Sequence, residues 1–367
     1  MKKLDWYILK KFLVSFFFCM ILFTVVAVAV DSSEKTDNFV ASGLSTYQII
    51  KQYYIGFVPH IWALLFPLFV FISVIFFTSR MAYRSEIIAI LASGTNYTRM
   101  LRPYLVGGIF LALILWTGSR YFVPKANVIR SSFEAVYIDK GGGDPSKNAF
   151  DGICITCFYR RIDSNTYVGL KYYQESTKSA SKFFMEKIKG DKVIYNLRAD
   201  EAKWDTASKK WVLNNVVERK INGLEETITT HPTLTLNISL KPEELHQDKY
   251  LKDKFTTPEL ASYIKREKLR GTEGLSAYEV ERYRRTATSF SVLLLTIIGA
   301  LIASRKTRGG SGVHLAMGIV IAAVFILSDR FSTVFATKGD FPPLLAAWLP
   351  NIAFFGIAFW IYKKVPK

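Results

Sequence analysis

The chain has 367 residues, half of them hydrophobic and 21% charged, with 48 Lys and Arg against 30 Asp and Glu for a net charge of +18. That apolar content excludes intrinsic disorder, and three cysteines exclude a disulfide scaffold. A mean hydropathy of +0.18 suits apolar spans joined to a sizeable water-facing part.

Six uncharged stretches are long enough to cross a hydrocarbon core of ~30 Å. The first, Phe12–Val30, follows a basic start and contains Ala27-Val28-Ala29, which looks like a signal-peptidase site. Its 19 residues exceed the ~7–15 of a signal-peptide core, so a retained helix is expected. The others are Ile61–Thr78, Pro103–Ser119, Thr286–Ser304, Gly309–Ser328 and Phe341–Tyr362. Tyr121, Phe122 and Val123 extend the third beyond Arg120.

Basic residues sort by side. Fourteen fall in the N-terminus, the loops after spans two and four, and the C-terminus; only Lys35, Lys51, Arg330 and Lys338 fall in the short loops opposite. The positive-inside rule then puts both termini in the cytoplasm and the long segment 124–285 outside it. That segment has 29 basic and 23 acidic residues, so the net charge reflects membrane topology and nucleic-acid binding is not expected.

Between spans two and three, Arg80–Gly94 has Arg84, Ile87, Ile88 and Leu91 at helical spacing, with Gly94 as a stop. Glu86 and Asp5 are the only acids among the fourteen bases of that side. One reading of Glu86 is a surface carboxylate paired with Arg80 or Arg84; the other is a docking group for a cytosolic partner.

In the long segment the period becomes two. Val193, Tyr195, Leu197 and Ala199 alternate with Ile194, Asn196 and Arg198, and Leu234, Leu236, Ile238 and Leu240 with Thr235, Asn237 and Ser239. Turn residues separate the runs at Asp163-Ser164-Asn165, Gly190-Asp191, Thr206-Ala207-Ser208 and Asn222-Gly223. Trp204 and Trp211 flank one turn and are expected to pair across it. Six to nine antiparallel strands are expected, as a sandwich or open jelly roll, with Gly141-Gly142-Gly143 as a hinge before them. A helix is expected over Pro258–Leu269, and another from about Ser276 into span four, carrying Arg282, Arg284 and Arg285.

Catalytic signals are absent from the sequence. There is no Walker A run, no HExxH and no metal-spaced histidine cluster among His60, His231, His246 and His314. Cys154 and Cys157 form a CxxC in a strand-like run, where residues three apart face opposite ways; a redox role is not expected. Cys19 reads as packing. A non-enzymatic protein with no cofactor and no metal is expected. The fold class is an α-helical membrane protein of six transmembrane helices with an inserted all-β, jelly-roll-like periplasmic domain. Residues 1–123 hold spans one to three with the short helix near 80–94, 124–256 the β domain, 257–285 a helical connector and 286–367 spans four to six.

Three motifs in order now resemble one family. Leu4-Asp5-Trp6-Tyr7-Ile8 at the start, Arg84-Ser85-Glu86-Ile87 with Ala92-Ser93-Gly94, and Phe341-Pro342-Pro343 with Trp348-Leu349-Pro350-Asn351 are similar to the LptF/LptG permeases. These export lipopolysaccharide from the inner membrane of Gram-negative bacteria, and the start leans toward the LptG branch. The resemblance implies an ABC transporter subunit that relies on a cytosolic ATPase dimer and works beside a second permease of the same family. It implies lipid entry through gates formed by spans one and five, and passage to a periplasmic bridge protein of jelly-roll fold.

Residue by residue, the resemblance implies that Arg84, Ser85, Glu86, Ile87, Leu91 and Gly94 couple to the ATPase. Leu234, Leu236, Ile238 and Leu240 would line a groove in the β domain. Some members carry several lysines near the outer end of span one; here Asp31, Ser32, Ser33 and Glu34 precede a lone Lys35. Lipid phosphates would then fall to Lys35, Arg330 and the Arg282, Arg284 and Arg285 cluster. A rival reading is a membrane-tethered assembly protein whose β domain recruits an envelope partner without transport.

Overall fold

A computed structural model describes residues 3–138 and 158–363, except 164, 175–176, 191, 224, 239, 241, 243–249, 271–273, 306–309 and 340. The triple glycine, the Cys154 and Cys157 pair and His246 lie outside the described residues. The chain divides into two units, one of residues 1–140, 252–261 and 276–367, the other of 141–251 and 262–275.

The first unit is helical. In chain order it has α1 (Lys3–Glu34), α2 (Thr36–Ser42), α3 (Thr46–Ile49), α4 (Ile55–Tyr83), α5 (Glu86–Ala92), α6 (Tyr97–Thr117) and α7 (Val123–Phe133). After the strands come α8 (Leu251–Lys254), α9 (Thr257–Leu269), which passes into the second unit at residue 262, α10 (Ser276–Ala303), α11 (Gly310–Lys338) and α12 (Pro343–Lys363). Six helical stretches are long and apolar enough to span a membrane: α1, α3 through α4, α6 through α7, α10, α11 and α12. The protein is therefore a multi-pass membrane protein. Hereafter the end of the bundle from which residues 139–275 leave is the insertion end, and the opposite end, with the excess of Lys and Arg, the basic end.

The helices pack through large apolar side chains and a few close backbone approaches. Ile8, Phe12 and Phe16 of α1 are buried with Phe77 of α4 and Tyr104 of α6. Gly107 permits this: a Cβ there would meet the Phe12 ring at 2.6 Å. At the insertion end Gly56 lets α4 approach α7, since a Cβ would lie 2.5 Å from the Ala126 carbonyl oxygen. Polar groups inside the bundle pair with each other, as Thr78 with Tyr104 at 3.0 Å and Trp62 Nε1 donating to Thr24 at 2.7 Å.

Coverage differs among the spans. Within the spanning window 67% of α10 is buried, against 11% of α1 and 22% of α11. α10 is the central helix, while α1 and α11 leave Phe18, Ile21, Val25, Val320, Leu327 and Phe331 exposed.

The third span runs further than expected. Rather than ending near Val123, it continues through two π-helical turns, Gly118–Phe122 and Glu134–Ile138, on either side of α7. Arg120 does not stop the helix, because its guanidinium sits over the Trp116 and Tyr121 rings; Pro124, at the start of α7, removes one backbone donor from the continuous helix just after the π turn. A third π turn, Ile50–Tyr54, joins α3 to α4.

The second unit is a six-stranded antiparallel sheet in chain order, β1 (Phe158–Asp163), β2 (Thr166–Gln174), β3 (Ser179–Lys189), β4 (Lys192–Asp205), β5 (Lys210–Asn222) and β6 (Glu225–Leu236). Among the described residues each strand pairs with its sequence neighbour in one meander, and two facing layers are not seen. The alternation has its expected effect: Leu197 and Ala199 are buried beside exposed Arg198. Trp204 and Trp211 are direct cross-strand partners with ring centroids 5.3 Å apart. Asp205 closes that turn by accepting from the Ala207 and Ser208 amides and the Ser208 hydroxyl. These bonds, the hydroxyl first, hold its carboxyl below the usual carboxylate range. α9 begins one residue before its expected Pro258, and α10 begins at Ser276.

Candidate functional site

At the basic end, α5 is set off from α4 by a tight break. Ser85 takes a left-handed conformation at φ 60°, which turns the chain between Tyr83 and Glu86, and Gly94 at φ 79° ends the helix. Arg84 therefore closes α4 rather than sharing a face with Ile88 and Leu91. Ile87 is buried with Met81, Ala82 and Tyr97, and Leu91 is half-buried against the same cluster, while Ile88 faces outward. This packing anchors α5 and leaves Glu86 at its first turn.

Glu86 does not pair with Arg80 or Arg84. Its carboxylate accepts from the Tyr7 hydroxyl at 3.2 Å and from Lys11 Nζ at 3.4 Å, and Lys11 also donates to Tyr7. The partners are one turn apart on α1, so the clasp joins the first span to the short helix. Lys11 is 75 residues from Glu86; the signal available in sequence was the i, i+4 spacing of Tyr7 and Lys11 on one helix face.

At the insertion end the expected cations have different fates. Lys35 is committed inward: it bridges Asp31 at 2.8 Å and Glu134 at 3.4 Å and donates to the buried Tyr53 hydroxyl, which in turn donates to Asp31 at 3.0 Å. Arg130 adds a pair to Glu134 at 3.3 Å. Two cations and two carboxylates thus neutralise each other at the top of α1, α4 and α7.

Arg284 and Arg285 are also held by protein groups. Arg284 donates twice to Glu281, at 2.7 and 3.1 Å, and lies 3.9 Å from Asp329. Arg285 donates to Glu281 at 3.1 Å, to the carbonyls of Phe255 and Lys252 at 2.9 and 3.1 Å, and to Thr257 at 3.2 Å. It fastens the segment around α8 to the top of α10. Arg282 is exposed over the Tyr283 ring, and Arg330 is exposed on α11 with no ion pair among the described residues.

Arg284, Arg285 and Arg330 converge on one cavity of about 170 Å³. Lys35 and Arg282 do not line it. Carboxylates not singled out by the sequence reading, Asp253, Glu281 and Asp329, share its mouth, with His60, Asn127 and Asn351. Burial holds the Asp253 carboxyl above the usual range, reinforced by Glu281. The spacing of Glu281 with Arg284 and Arg285, i+3 and i+4, was the readable sign of this cluster.

The four groove residues fall together. Leu234, Leu236 and Ile238 are half-buried against the apolar face of the sheet, and Leu240 is fully buried, its carbonyl accepting from Trp211 Nε1 at 2.8 Å. The strand itself ends at Leu236, so the last two continue the alternation outside the ladder. His314 binds the Arg305 carbonyl at 2.8 Å, which accounts for a polar ring in a span. No cluster of three metal-ligating side chains occurs among the described residues.

Comparison with known proteins matches this architecture. The family model for the lipopolysaccharide export system permease LptF/LptG covers residues 6–364. The lipopolysaccharide export system permease protein LptG of Escherichia coli strain K12, and its counterpart in a second Escherichia coli strain, are each 23% identical over 358 residues, 94% of this chain and 94% of theirs. The lean toward LptG made from the opening residues has this weak support. With six spans, a β insertion after the third and a match over almost its full length, the chain belongs to the LptF/LptG family of lipopolysaccharide export system permeases.

Proposed function

We propose that this protein is a permease subunit of an ABC transporter that extracts lipopolysaccharide from the inner membrane of a Gram-negative bacterium and passes it to a periplasmic bridge. In this reading the basic end is cytoplasmic and the β unit periplasmic. A cytosolic ATPase dimer engages α5 through Glu86, and a second permease of the family completes the lipid cavity. The observation that carries the reading is the pair of poorly covered helices, α1 and α11, inside a whole-chain family match. Apolar faces left bare within one chain suit a partner helix or lipid. Leu234, Leu236 and Ile238, half-buried on the sheet, are the accessible part of a groove for acyl chains, and the sheet extends onto a bridge protein of jelly-roll fold.

The test is Glu86→Lys. Insertion and expression should match the parent, while recovery of the ATPase and lipid release from reconstituted vesicles should fall. Truncating a buried interface charge costs about 2–5 kcal/mol, enough to be seen in a pull-down. Parent-like assembly and transport would remove the coupling role. A protein that binds an envelope partner but recruits no ATPase would favour the tethered assembly reading.

A further inference from the structure

Pro350 stands inside α12, near the insertion end of that span. An α-helix joins each N–H to the carbonyl four residues before it, so Pro350, which has no N–H, cannot donate to Ala346. Ala346 is 1% exposed. The missing donor therefore has to come from another protein group.

It comes from α11. The Ser332 hydroxyl donates to the Ala346 carbonyl at 2.6 Å, and Ser332 is itself 4% exposed. Other hydroxyls of α11 bond within their own helix, Ser328 to Val324, Thr333 to Asp329 and Thr337 to Thr333. Ser332 crosses to the next helix instead. Small side chains let it, since Ala336 of α11 and Ala346 of α12 are buried together beside Val280 of α10. The residue after Pro350 ties in the third helix: Asn351 Nδ2 donates to the Ala287 carbonyl of α10 at 2.9 Å. Two turns deeper on the same side of α11, Phe325 meets Phe354 of α12 edge to face at 5.0 Å.

Only 22% of the spanning window of α11 is buried, so a narrow strip holds a largely bare helix to the bundle. Apolar packing holds helices together without regard to direction; a short, directed hydrogen bond also fixes where along their axes they meet. We propose that Ser332 is a positioning residue. Through the carbonyl that Pro350 leaves open it pins the insertion end of α11 to α12, and Asn351 pins α12 to α10, so that these three spans move as one body. That this body presents α11 to lipid rests on the transport reading; the pin itself does not.

The test uses Ser332→Ala, which removes one oxygen, in the parent and in a Pro350→Ala background. With Pro350→Ala the helix supplies its own N–H to the Ala346 carbonyl, whose second lone pair still accepts from Ser332. In the parent background Ser332→Ala orphans the carbonyl and cuts the tether; in the other it cuts the tether alone. The melting temperature of the full-length protein in detergent should fall by about 2–4 °C in the first case and by less than half of that in the second. Amide exchange over residues 328–338 of α11, read by mass spectrometry, should rise at least about five-fold in both, the factor that one net hydrogen bond is worth. Lipid release from vesicles reconstituted with the ATPase should fall in both. Equal melting costs in the two backgrounds, unchanged exchange, or release at the parent's rate from the Ser332→Ala protein would each overturn the proposal. A parent that releases no lipid would count against the transport reading alone, and the exchange would still decide the pin.

Discussion

The two ends of the helical bundle use charge in opposite ways. At the basic end cations are in large excess, and Glu86 sits in a half-exposed clasp with Lys11 and Tyr7. At the insertion end four cations are matched and enclosed, Lys35 and Arg130 by Asp31 and Glu134, Arg284 and Arg285 by Glu281 and Asp329, while Arg282 and Arg330 stay exposed. Excess charge at an exposed end orients a protein in its membrane; matched charge in an enclosed one fixes helices against each other. Counting lysines and arginines reads the first and is blind to the second.

The sharpest way to break this contrast is to unbalance the enclosed end. Asp31→Ala leaves Lys35 beside Tyr53 with Glu134 alone to compensate two cations, and breaking a buried pair costs about 3–5 kcal/mol. A marked fall in melting temperature in detergent is expected; an unchanged melt would mean that the network is hydrated and the two ends are alike.

A pH series sharpens the contrast at the cavity mouth. Because burial holds the Asp253 carboxyl above the usual range, the folded protein keeps this proton at pH values where the unfolded chain has lost it. Its contribution therefore favours folding below that window and is lost as pH rises through it. Asp253→Asn, neutral throughout, should flatten the fall in stability between about pH 4 and the raised value. A variant with the parent's full slope would show that another group carries it.

The smallest effect belongs to the basic end. Lys11→Met removes a partly exposed pair, for which ~0–1 kcal/mol is typical, so the melt should be within error of the parent. Coupling should respond more than stability, since Glu86 loses the cation that ties α5 to α1. A large loss of stability would show the clasp to be as structural as the Lys35 network.

Much of the fold was legible. Six apolar runs, a period of two after the third, the Trp204 and Trp211 pair, and the Gly94 stop follow from rules local to a few residues. The sites were legible by location only. Glu86 was visible as one of two acids among fourteen bases, but its cation is 75 residues away; Lys35 was visible as a lone base, but one carboxylate is 99 residues away. Asp31, four residues before Lys35, was within reach of helical spacing and signalled an inward commitment. Asn351 carried no sign at all, because its bond to the Ala287 carbonyl at 2.9 Å exists only once helices have met.

The three π turns, at Ile50–Tyr54, Gly118–Phe122 and Glu134–Ile138, have a consequence for how such chains change length. A π turn is an α-helix with one residue to spare. Deleting that residue restores the ordinary ladder and leaves the helix beyond it facing nearly as before, whereas the same deletion in a regular α-helix turns everything beyond it by about 100°. At the first turn the effect would stay local, beside Tyr53, which is fully buried and bonded to Asp31 and Lys35. Single-residue deletions in these turns should therefore be absorbed by the backbone with side-chain register kept, making them places where the chain can shorten without losing a span.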